Sequence, residues 1–323
     1  MAGRRQKKSG RRSYAWRYRG RIVACVFVEV IIICALVIMI GWNKGVKEWF
    51  EQFEQPVLKE VDISGINSPN AILMQARGGK ILGEINGEAQ IYPASMTKIM
   101  TVILGIENFD DLDEKITLTD EMFAGLYEQD ATQAGFQPGE EVRVIDLLYG
   151  AMLPSGAECC IALADTISGS EADFAELMNK KARKLGMENT HFCDSTGLHN
   201  PDHYSTVKDI AVLMKYCIKN DTFREIVETS RHSTGVTNIH PDGITYYSTM
   251  FKNLSDPTVT GGKILGGKTG YTSEAGHCLV SFAEIEGREY IFVSAGASGA
   301  DGNTIPHIQD AVTVYNRVGA AIE

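Results

Sequence analysis

The sequence predicts an α+β fold in which strands from both ends of the protein's body form one antiparallel sheet. Two strand-like segments come first, a middle block follows with the 3.6-residue periodicity of helices, and strand-like segments return near the C-terminus. Strands at both ends with helices between them imply a single sheet that the helical block covers.

The first elements follow from turn residues and periodicity. Apolar residues 71–76 and 80–85 flank a glycine-rich turn, which is typical of a β-hairpin. Five helices are then predicted because apolar residues recur every three or four positions. They cover residues 95–105, 144–153, 158–167, 171–185 and 206–218.

The C-terminal block is predicted to supply three strands and a helix. The strands cover residues 263–272, 279–285 and 288–295, with a glycine turn between the last two. Thr304 as a cap and Pro306 in the first turn predict the start of the last helix.

Charge is unevenly distributed over the 323 residues, whose formal net charge is −10. Residues 1–21 carry nine Lys or Arg and no acidic residue, whereas residues 43–323 carry 22 basic and 40 acidic residues. Nucleic-acid binding needs cations that replace phosphate counterions. The acidic body therefore argues against a nucleic-acid partner.

Residues 22–42 form an apolar run with a single charged residue, Glu29. About 20 apolar residues suffice for a helix to cross the bilayer, and the basic flank predicts a cytoplasmic N-terminus. A cleaved signal peptide is the alternative, but the run is longer than a signal-peptide core and lacks a small-residue cleavage site.

We therefore expect a single-pass protein of the cell membrane. Its parts are a basic cytoplasmic tail (1–21), a transmembrane signal anchor in the lipid bilayer (22–42), a stalk (43–60) and an extracellular body (61–323).

Ser95 and Lys98 lie three residues apart at the start of an apolar helical run, so their side chains share one face. A lysine activates a serine nucleophile when burial and nearby cations lower its affinity for a proton. The same pattern recurs at residues 205–208, where Thr206 and Asp209 instead form a capping-box pattern. This difference favours Ser95 as the reactive serine.

Two further motifs could carry chemistry. Ser155 follows Pro154 at a break between predicted helices, where it either faces a cleft or caps the next helix. Lys268, Thr269 and Gly270 offer a cation, a hydroxyl and a residue without a side chain, which lets a substrate backbone approach closely.

Residues 262–269 also match the phosphate-binding pattern G-x-x-x-x-G-K-T. A phosphate-binding loop needs a helix directly after it, because the helix N-terminus holds the phosphates. Here a glycine and then a predicted strand follow, so we do not expect nucleotide binding.

The order S-x-x-K, Ser-Gly-x, K-T-G resembles that of the serine penicillin-recognising enzymes, and among them the D-alanyl-D-alanine carboxypeptidases, which are low-molecular-mass penicillin-binding proteins. The similar segments are YPASMTKIMT, DLLYGAMLPSGAE, GMENTHFCDSTGLHNPDHYST and GGKTGYT, and the resemblance covers about residues 60–320. It implies a β-lactamase/transpeptidase-like fold and a hydrolase that acts on peptidoglycan stem peptides ending in D-Ala-D-Ala. It also implies covalent inhibition by β-lactams. The sequence contains no C-x-x-C or H-E-x-x-H motif, so we expect no metal, and we expect no cofactor.

The resemblance implies three catalytic residues. Ser95 is the nucleophile that forms the acyl-enzyme, Lys98 is its base, and Ser155 relays the proton to the departing D-alanine. The backbone N–H groups of Ser95 and Tyr271 are the implied oxyanion hole.

Lys268, Thr269 and Gly270 are implied to bind the substrate, with the lysine and threonine holding its terminal carboxylate. Ala157 departs from the family's second motif, which usually has asparagine at this position. That departure keeps open a penicillin-binding sensor or scaffold that is acylated without turnover. A class A β-lactamase is another alternative, but it needs a glutamate for deacylation, and the nearest candidate is Glu176.

A zinc peptidase is the third alternative, because histidines and aspartates are dense in one segment. They are His191, Asp194, His199, Asp202 and His203. This cluster lacks the i, i+4 spacing of helical zinc ligands, so hydrogen bonding at turns is the simpler interpretation.

Overall fold

A computed structural model describes Leu58 and residues 60–254, 256–299 and 305–322. The expected tail, the anchor and nearly all of the stalk lie outside the described residues, as does Thr304. Within the described part of the chain, no helix is both long and apolar enough to cross a membrane.

Six of the ten described strands form the central sheet. In chain order the strands are β1 (Asn70–Gln75), β2 (Ile81–Ile85), β3 (Lys115–Thr117), β4 (Glu141–Arg143), β5 (Arg231–Ser233), β6 (Thr245–Tyr247), β7 (Thr258–Val259), β8 (Gly262–Thr272), β9 (Gly276–Ile285) and β10 (Arg288–Ala297). The central sheet has the order β2-β1-β10-β9-β8-β7, and all its pairs are antiparallel. The predicted pairing of strands from both ends of the body is confirmed.

Eight α-helices lie within the described residues. They are α1 (Lys98–Asn108), α2 (Val144–Met152), α3 (Ala157–Ser168), α4 (Glu171–Leu185), α5 (Val207–Cys217), α6 (Asp221–Glu228), α7 (Thr249–Asn253) and α8 (Pro306–Ile322). The five helices predicted in the middle block are α1 to α5. α1 continues a short 3-10 turn over Ala94–Thr97.

Side-chain alternation along the strands gives the sheet two apolar faces. Ile72 and Met74 of β1 pack against the helical block, whereas Ala71 and Leu73 pack on the other face. α8 covers that second face, where its Tyr315 is fully buried. The sheet is therefore covered on both sides.

α1 is the central helix of the helical block, and residues 99–104 are buried around its whole circumference. A helix that is apolar on all sides belongs inside a core. The run that follows the first S-x-x-K motif therefore fixes the N-terminal end of α1 against the sheet, beside β8.

Candidate active site

The serine and lysine of the first S-x-x-K motif meet at the N-terminal end of α1. Ser95 lies in the 3-10 turn and Lys98 begins the helix. Lys98 Nζ lies 3.1 Å from Ser95 Oγ and donates to the carbonyl of Thr196 at 2.6 Å. The lysine is buried and the serine is half-buried, so the hydroxyl is the more accessible end of the pair.

Ser155 lies between α2 and α3, and its Oγ lies 3.0 Å from Ser95 Oγ. Its backbone is left-handed, with φ +74°, a conformation that costs a non-glycine residue roughly 1–3 kcal/mol. The N-cap of α3 is Gly156, and no side chain caps this helix. The interpretation of Ser155 as a helix cap is therefore wrong, because its hydroxyl contacts Ser95 instead.

Lys268 comes from the middle of β8 and completes the arrangement. Its Nζ donates to Ser155 Oγ at 2.9 Å and to the carbonyl of Thr269 at 3.0 Å. The side chain is only 1% exposed, and burial, followed by repulsion from Lys98, holds the pKa of Lys268 well below its usual range. Two serine hydroxyls thus form a continuous hydrogen-bonded chain between two buried amines.

Gly270 lets β8 pass close to the nucleophile. A Cβ at this position would lie 3.0 Å from the Ser95 backbone nitrogen and 3.1 Å from Ala94 Cβ. Tyr271 follows on the same strand, and its side chain is largely exposed. The backbone of β8 therefore runs beside the Ser95 N–H. A backbone N–H of β8 and the Ser95 N–H are thus close enough to form an oxyanion hole, in which both donate to the oxygen of the reacting carbonyl.

A cleft of about 850 Å³ opens over these groups. Ser95, Ser155 and the β8 residues 268–271 line it, and Lys268 is the only Lys or Arg among the described residues of its wall. Thr269 also lines the cleft and its Oγ1 lies 2.8 Å from Thr249 Oγ1 of α7. No motif in the sequence singled out Thr249 or the Thr196 carbonyl.

The second S-x-x-K pattern lies apart from this site. Thr206 caps α5 by accepting from the backbone N–H of Asp209 at 3.0 Å, so the predicted cap is confirmed. Lys208 forms an ion pair with Glu88 at the surface. Residues 262–269, which match the phosphate-binding pattern, are extended within β8 and lead into β9, a geometry unlike that of a phosphate-binding loop.

The histidine and aspartate cluster is hydrogen-bonded within the protein. His203 Nδ1 lies 3.0 Å from Asp194 Oδ2, and His191 Nδ1 lies 2.6 Å from the carbonyl of Asp202, whereas His199 lines the cleft. In the part of the chain that the structure describes, no three His, Cys, Asp or Glu residues are grouped so that they could hold a metal ion.

The two residues on which the alternative functions depend, Glu176 and Ala157, do not line the cleft. Glu176, the candidate for β-lactamase deacylation, is exposed on α4 and does not line the cleft. Ala157 is buried as the first residue of α3, and its N–H donates to the Thr132 carbonyl at 2.8 Å.

The central sheet, the helical block and a serine–lysine pair at the start of the buried helix define the α+β class of penicillin-binding, transpeptidase-like proteins. The sequence profile of the D-alanyl-D-alanine carboxypeptidases matches residues 57–299. The chain therefore belongs to the D-alanyl-D-alanine carboxypeptidase family.

Individual relatives agree with this assignment. The D-alanyl-D-alanine carboxypeptidase DacF of Bacillus subtilis (strain 168) is 35% identical over 231 residues, which cover 71% of this chain and 57% of the relative. The D-alanyl-D-alanine carboxypeptidase of Streptomyces sp. (strain K15) is 35% identical over 236 residues, or 71% of this chain and 78% of that protein.

Among solved structures, the Streptomyces K15 DD-transpeptidase is similar, with a TM-score of 0.71 at 29% identity. The match covers 80% of this chain and 100% of that one. The present chain spans about three fifths of the length of DacF and of the Escherichia coli relatives DacC and DacD.

Proposed function

We propose that the protein is a serine-type D-Ala-D-Ala carboxypeptidase that removes the terminal D-alanine from peptidoglycan stem peptides through an acyl-enzyme on Ser95. The observation that carries the proposal is the hydrogen-bonded chain from Lys98 Nζ through Ser95 Oγ and Ser155 Oγ to Lys268 Nζ. A nucleophile, a base, a proton relay and a cation are the groups that this reaction needs, and they lie within hydrogen-bonding distance of one another.

Lys98 is the base in the acylation step. Its Nζ lies 3.1 Å from Ser95 Oγ while the Thr196 carbonyl holds it at 2.6 Å, so it is placed to accept the proton of Ser95. Ser95 Oγ then attacks the carbonyl carbon of the D-Ala-D-Ala bond. The backbone N–H groups of Ser95 and Tyr271 stabilise the oxyanion that forms.

Ser155 serves the leaving group. Its Oγ lies between Ser95 Oγ and Lys268 Nζ. As the C–N bond breaks, it gives its own proton to the nitrogen of the departing residue, and the proton that Lys98 took from Ser95 replaces it. The products of this step are D-alanine and an ester on Ser95. Water then hydrolyses the ester and frees the shortened peptide.

Lys268 and Thr269 select the substrate by its C-terminal carboxylate. A buried cation beside a hydroxyl forms strong, charge-assisted hydrogen bonds with a carboxylate. Lys268 is the cation of the cleft wall in a body that is otherwise strongly acidic. Gly270 supports this arrangement because its missing side chain lets β8, which carries Lys268 and Thr269, pass close to the Ser95 backbone. β-Lactams with a carboxylate on the ring system also combine a reactive amide carbonyl with a nearby carboxylate. They would therefore bind in the same way and acylate Ser95.

Acylation without turnover is the second candidate function, and Ala157 is the residue that favours it. A methyl group at this position offers no amide to the acyl-enzyme. Glu176 does not line the cleft, so it is not placed to activate the water that hydrolyses the ester. Under this alternative the protein binds β-lactams and stem peptides but releases little product.

Labelling with a fluorescent penicillin tests the nucleophile. The full-length protein should be labelled, and Ser95→Ala should abolish labelling because the acyl ester cannot form. Ser205→Ala is the matched control, since it alters the serine of the second S-x-x-K pattern and should leave labelling intact. Labelling of Ser95→Ala would refute the assignment.

Release of D-alanine from diacetyl-Lys-D-Ala-D-Ala separates the two candidates. A carboxypeptidase releases many equivalents per labelled serine, whereas a protein without turnover releases at most one. Multiple turnover that is lost in Ser95→Ala would support the enzyme, and a single equivalent would support the alternative.

For the location of the protein, we propose that residues 22–42 anchor it in the cell membrane with residues 1–21 in the cytoplasm and the body outside. The apolar run and its basic flank support this orientation. Protease added to intact spheroplasts should digest the body, and protection of the body would contradict the proposed topology.

A further inference from the structure

A buried hydrogen-bonded network lies directly behind the nucleophile and its base. It consists of Asp194 and His203, which we call the Asp194–His203 dyad, together with the Thr196–Gly197 peptide and Thr97. The side chains of His203 and Thr97 are almost completely buried. None of these groups has a role in the reaction proposed above, apart from the Thr196 carbonyl that contacts Lys98.

Asp194 holds the peptide group that contacts the base. Its Oδ1 accepts from the Gly197 N–H at 2.6 Å and from the Thr196 N–H at 2.7 Å. The Gly197 N–H and the Thr196 carbonyl belong to one planar peptide group and point in opposite directions. Asp194 therefore fixes one end of that plane while the other end accepts from Lys98 Nζ at 2.6 Å.

His203 connects the same carboxylate to the nucleophile turn. Its Nδ1 lies 3.0 Å from Asp194 Oδ2, and its Nε2 lies 2.9 Å from Thr97 Oγ1. Thr97 directly precedes Lys98 in the chain. The contacts thus form a closed ring that starts at the backbone of Lys98, passes through His203 and Asp194, and returns to the Lys98 amine.

Gly197 shows how tightly this loop is pressed against the nucleophile turn. Its φ is +82°, and a Cβ at this position would lie 1.9 Å from the carbonyl oxygen of Ala94. Burial raises the pKa of Asp194, but the hydrogen bond and charge of His203 and the bonds from Thr196 and Gly197 outweigh it and bring the pKa to about 2. The carboxylate is therefore ionised at neutral pH and forms charge-assisted bonds, which are the stronger kind.

We propose that Asp194 and His203 are positioning residues that orient the Thr196 carbonyl and thereby hold the Lys98 amine against Ser95 Oγ. A lysine side chain has four rotatable bonds, and a base must lie within hydrogen-bonding distance of the proton that it accepts. The ring restricts the amine at its free end. The proposal rests on the proposed function, because acylation of Ser95 is the step that it affects.

The chain contains a matched control for this dyad. His232 Nε2 lies 3.0 Å from Asp146 Oδ1, and the Asp146 side chain is buried as well. Among the described residues, Asp146 also bonds Arg143, and neither member of the pair contacts the Ser95–Lys98 site by a hydrogen bond or lines the cleft. Asp146→Asn therefore disrupts a similar aspartate–histidine pair without changing the contacts that position the Lys98 amine.

The test measures the rate constant of acylation by a fluorescent penicillin and its non-covalent dissociation constant, by varying penicillin concentration with the full-length protein. Asp194→Asn removes the charge but keeps the shape, and we expect the rate constant to fall between about tenfold and about 100-fold. The dissociation constant should change less than about twofold, since the dyad does not line the cleft. Asp146→Asn should keep the wild-type rate constant.

A purely structural role for the dyad gives a different result. Loss of folded protein lowers the amplitude of labelling but not the rate constant of the molecules that still react. Thr97→Val removes the hydroxyl that contacts His203, and Thr97→Ser keeps a hydroxyl at this position. If Asp194→Asn does not fold, these two variants distinguish a positioning role of the dyad from a purely structural one. We expect Thr97→Val to be slow and Thr97→Ser to recover most of the rate.

Two kinds of failure are distinguishable. If the wild-type chain is not acylated on Ser95, the proposed function and this inference are both overturned. If the wild type is acylated and Asp194→Asn and Thr97→Val react at its rate, or if Asp146→Asn is slowed as much as they are, only the positioning role is overturned.

Discussion

Replacing Lys268 by methionine should lower activity and raise stability at the same time. The lysine is 1% exposed, contacts Ser155 and is proposed to bind the substrate carboxylate. Loss of one partner of a desolvated, hydrogen-bonded charge pair costs about 2–5 kcal/mol. At 1.36 kcal/mol per factor of ten, kcat/KM for a D-Ala-D-Ala peptide should fall between about 30-fold and about 5000-fold.

A substrate without the terminal carboxylate separates the two contacts of Lys268. Such a substrate, for example a thioester that ends in an uncharged group, loses only the contact with Ser155. A hydrogen bond from a charged group is worth about 1.5–3 kcal/mol, so kcat/KM for this substrate should fall only between about tenfold and about 150-fold. The assay is the ratio of the two kcat/KM values in wild type and in Lys268→Met.

Stability should change in the opposite direction. Burial and Lys98 lower the pKa of Lys268, so the unfolded chain binds a proton that the folded chain resists. The wild type therefore gains stability as pH rises toward the ordinary lysine pKa. Lys268→Met has no amine to bury, so its free energy of unfolding does not include this unfavourable contribution. The melting temperature of the variant should exceed that of the wild type at neutral pH, and the difference should shrink as pH is raised.

Lys181→Met is the matched control, because Lys181 is also buried but its amine bonds Glu107 and Tyr216 in the helical block. This variant should keep the wild-type kcat/KM for both substrates. If Lys268→Met keeps the wild-type preference for the carboxylate, the binding role of Lys268 is wrong. If it is also less stable than the wild type at neutral pH, the argument from burial fails as well.

Two further predictions concern Gly270 and His307. Gly270→Ala places a Cβ 3.0 Å from the Ser95 nitrogen, and the resulting shift of β8 should slow acylation by about 100-fold; a wild-type rate in penicillin labelling would show that the strand can yield. Burial, and then repulsion from His277, lower the pKa of His307 from 6.5 to about 4. The unfolded state therefore binds more protons in this window, and stability should fall by about 3 kcal/mol as pH drops from about 6.5 to about 4. His307→Phe should remove most of this dependence in denaturant titrations, and an unchanged pH profile would contradict it.

The sequence predicted long elements with clear ends better than short ones. The bounds of α4 agree with the prediction because Ser170 caps its start and Gly186 takes a left-handed conformation with φ +81° at its end. α6 was not predicted, although Asn220 caps it and its buried residues Phe223, Ile226 and Val227 have helical spacing. Its eight residues are too few for periodicity to stand out.

Among the site residues, side chains in motifs were predictable, whereas backbone groups and conformations were not. Side chains within recognisable motifs, such as Ser95, Lys98 and Lys268, could be predicted to act together. The Thr196 carbonyl could not, because any residue has one and only the fold decides where it points. Ser155 was open to two interpretations, and its contact with Ser95 Oγ decided between them. The sequence Pro154-Ser155-Gly156 specifies neither that contact nor the left-handed φ of Ser155.

The reactive arrangement joins positions far apart in the chain. Ser95 and Ser155 are 60 residues apart, Lys98 and Thr196 are 98 apart, and Ser155 and Lys268 are 113 apart. A partly made or partly folded chain therefore has an ordinary, inert serine at position 95. Penicillin labelling accordingly reports completion of the tertiary structure, and denaturant should abolish it in the same transition that melts the central sheet.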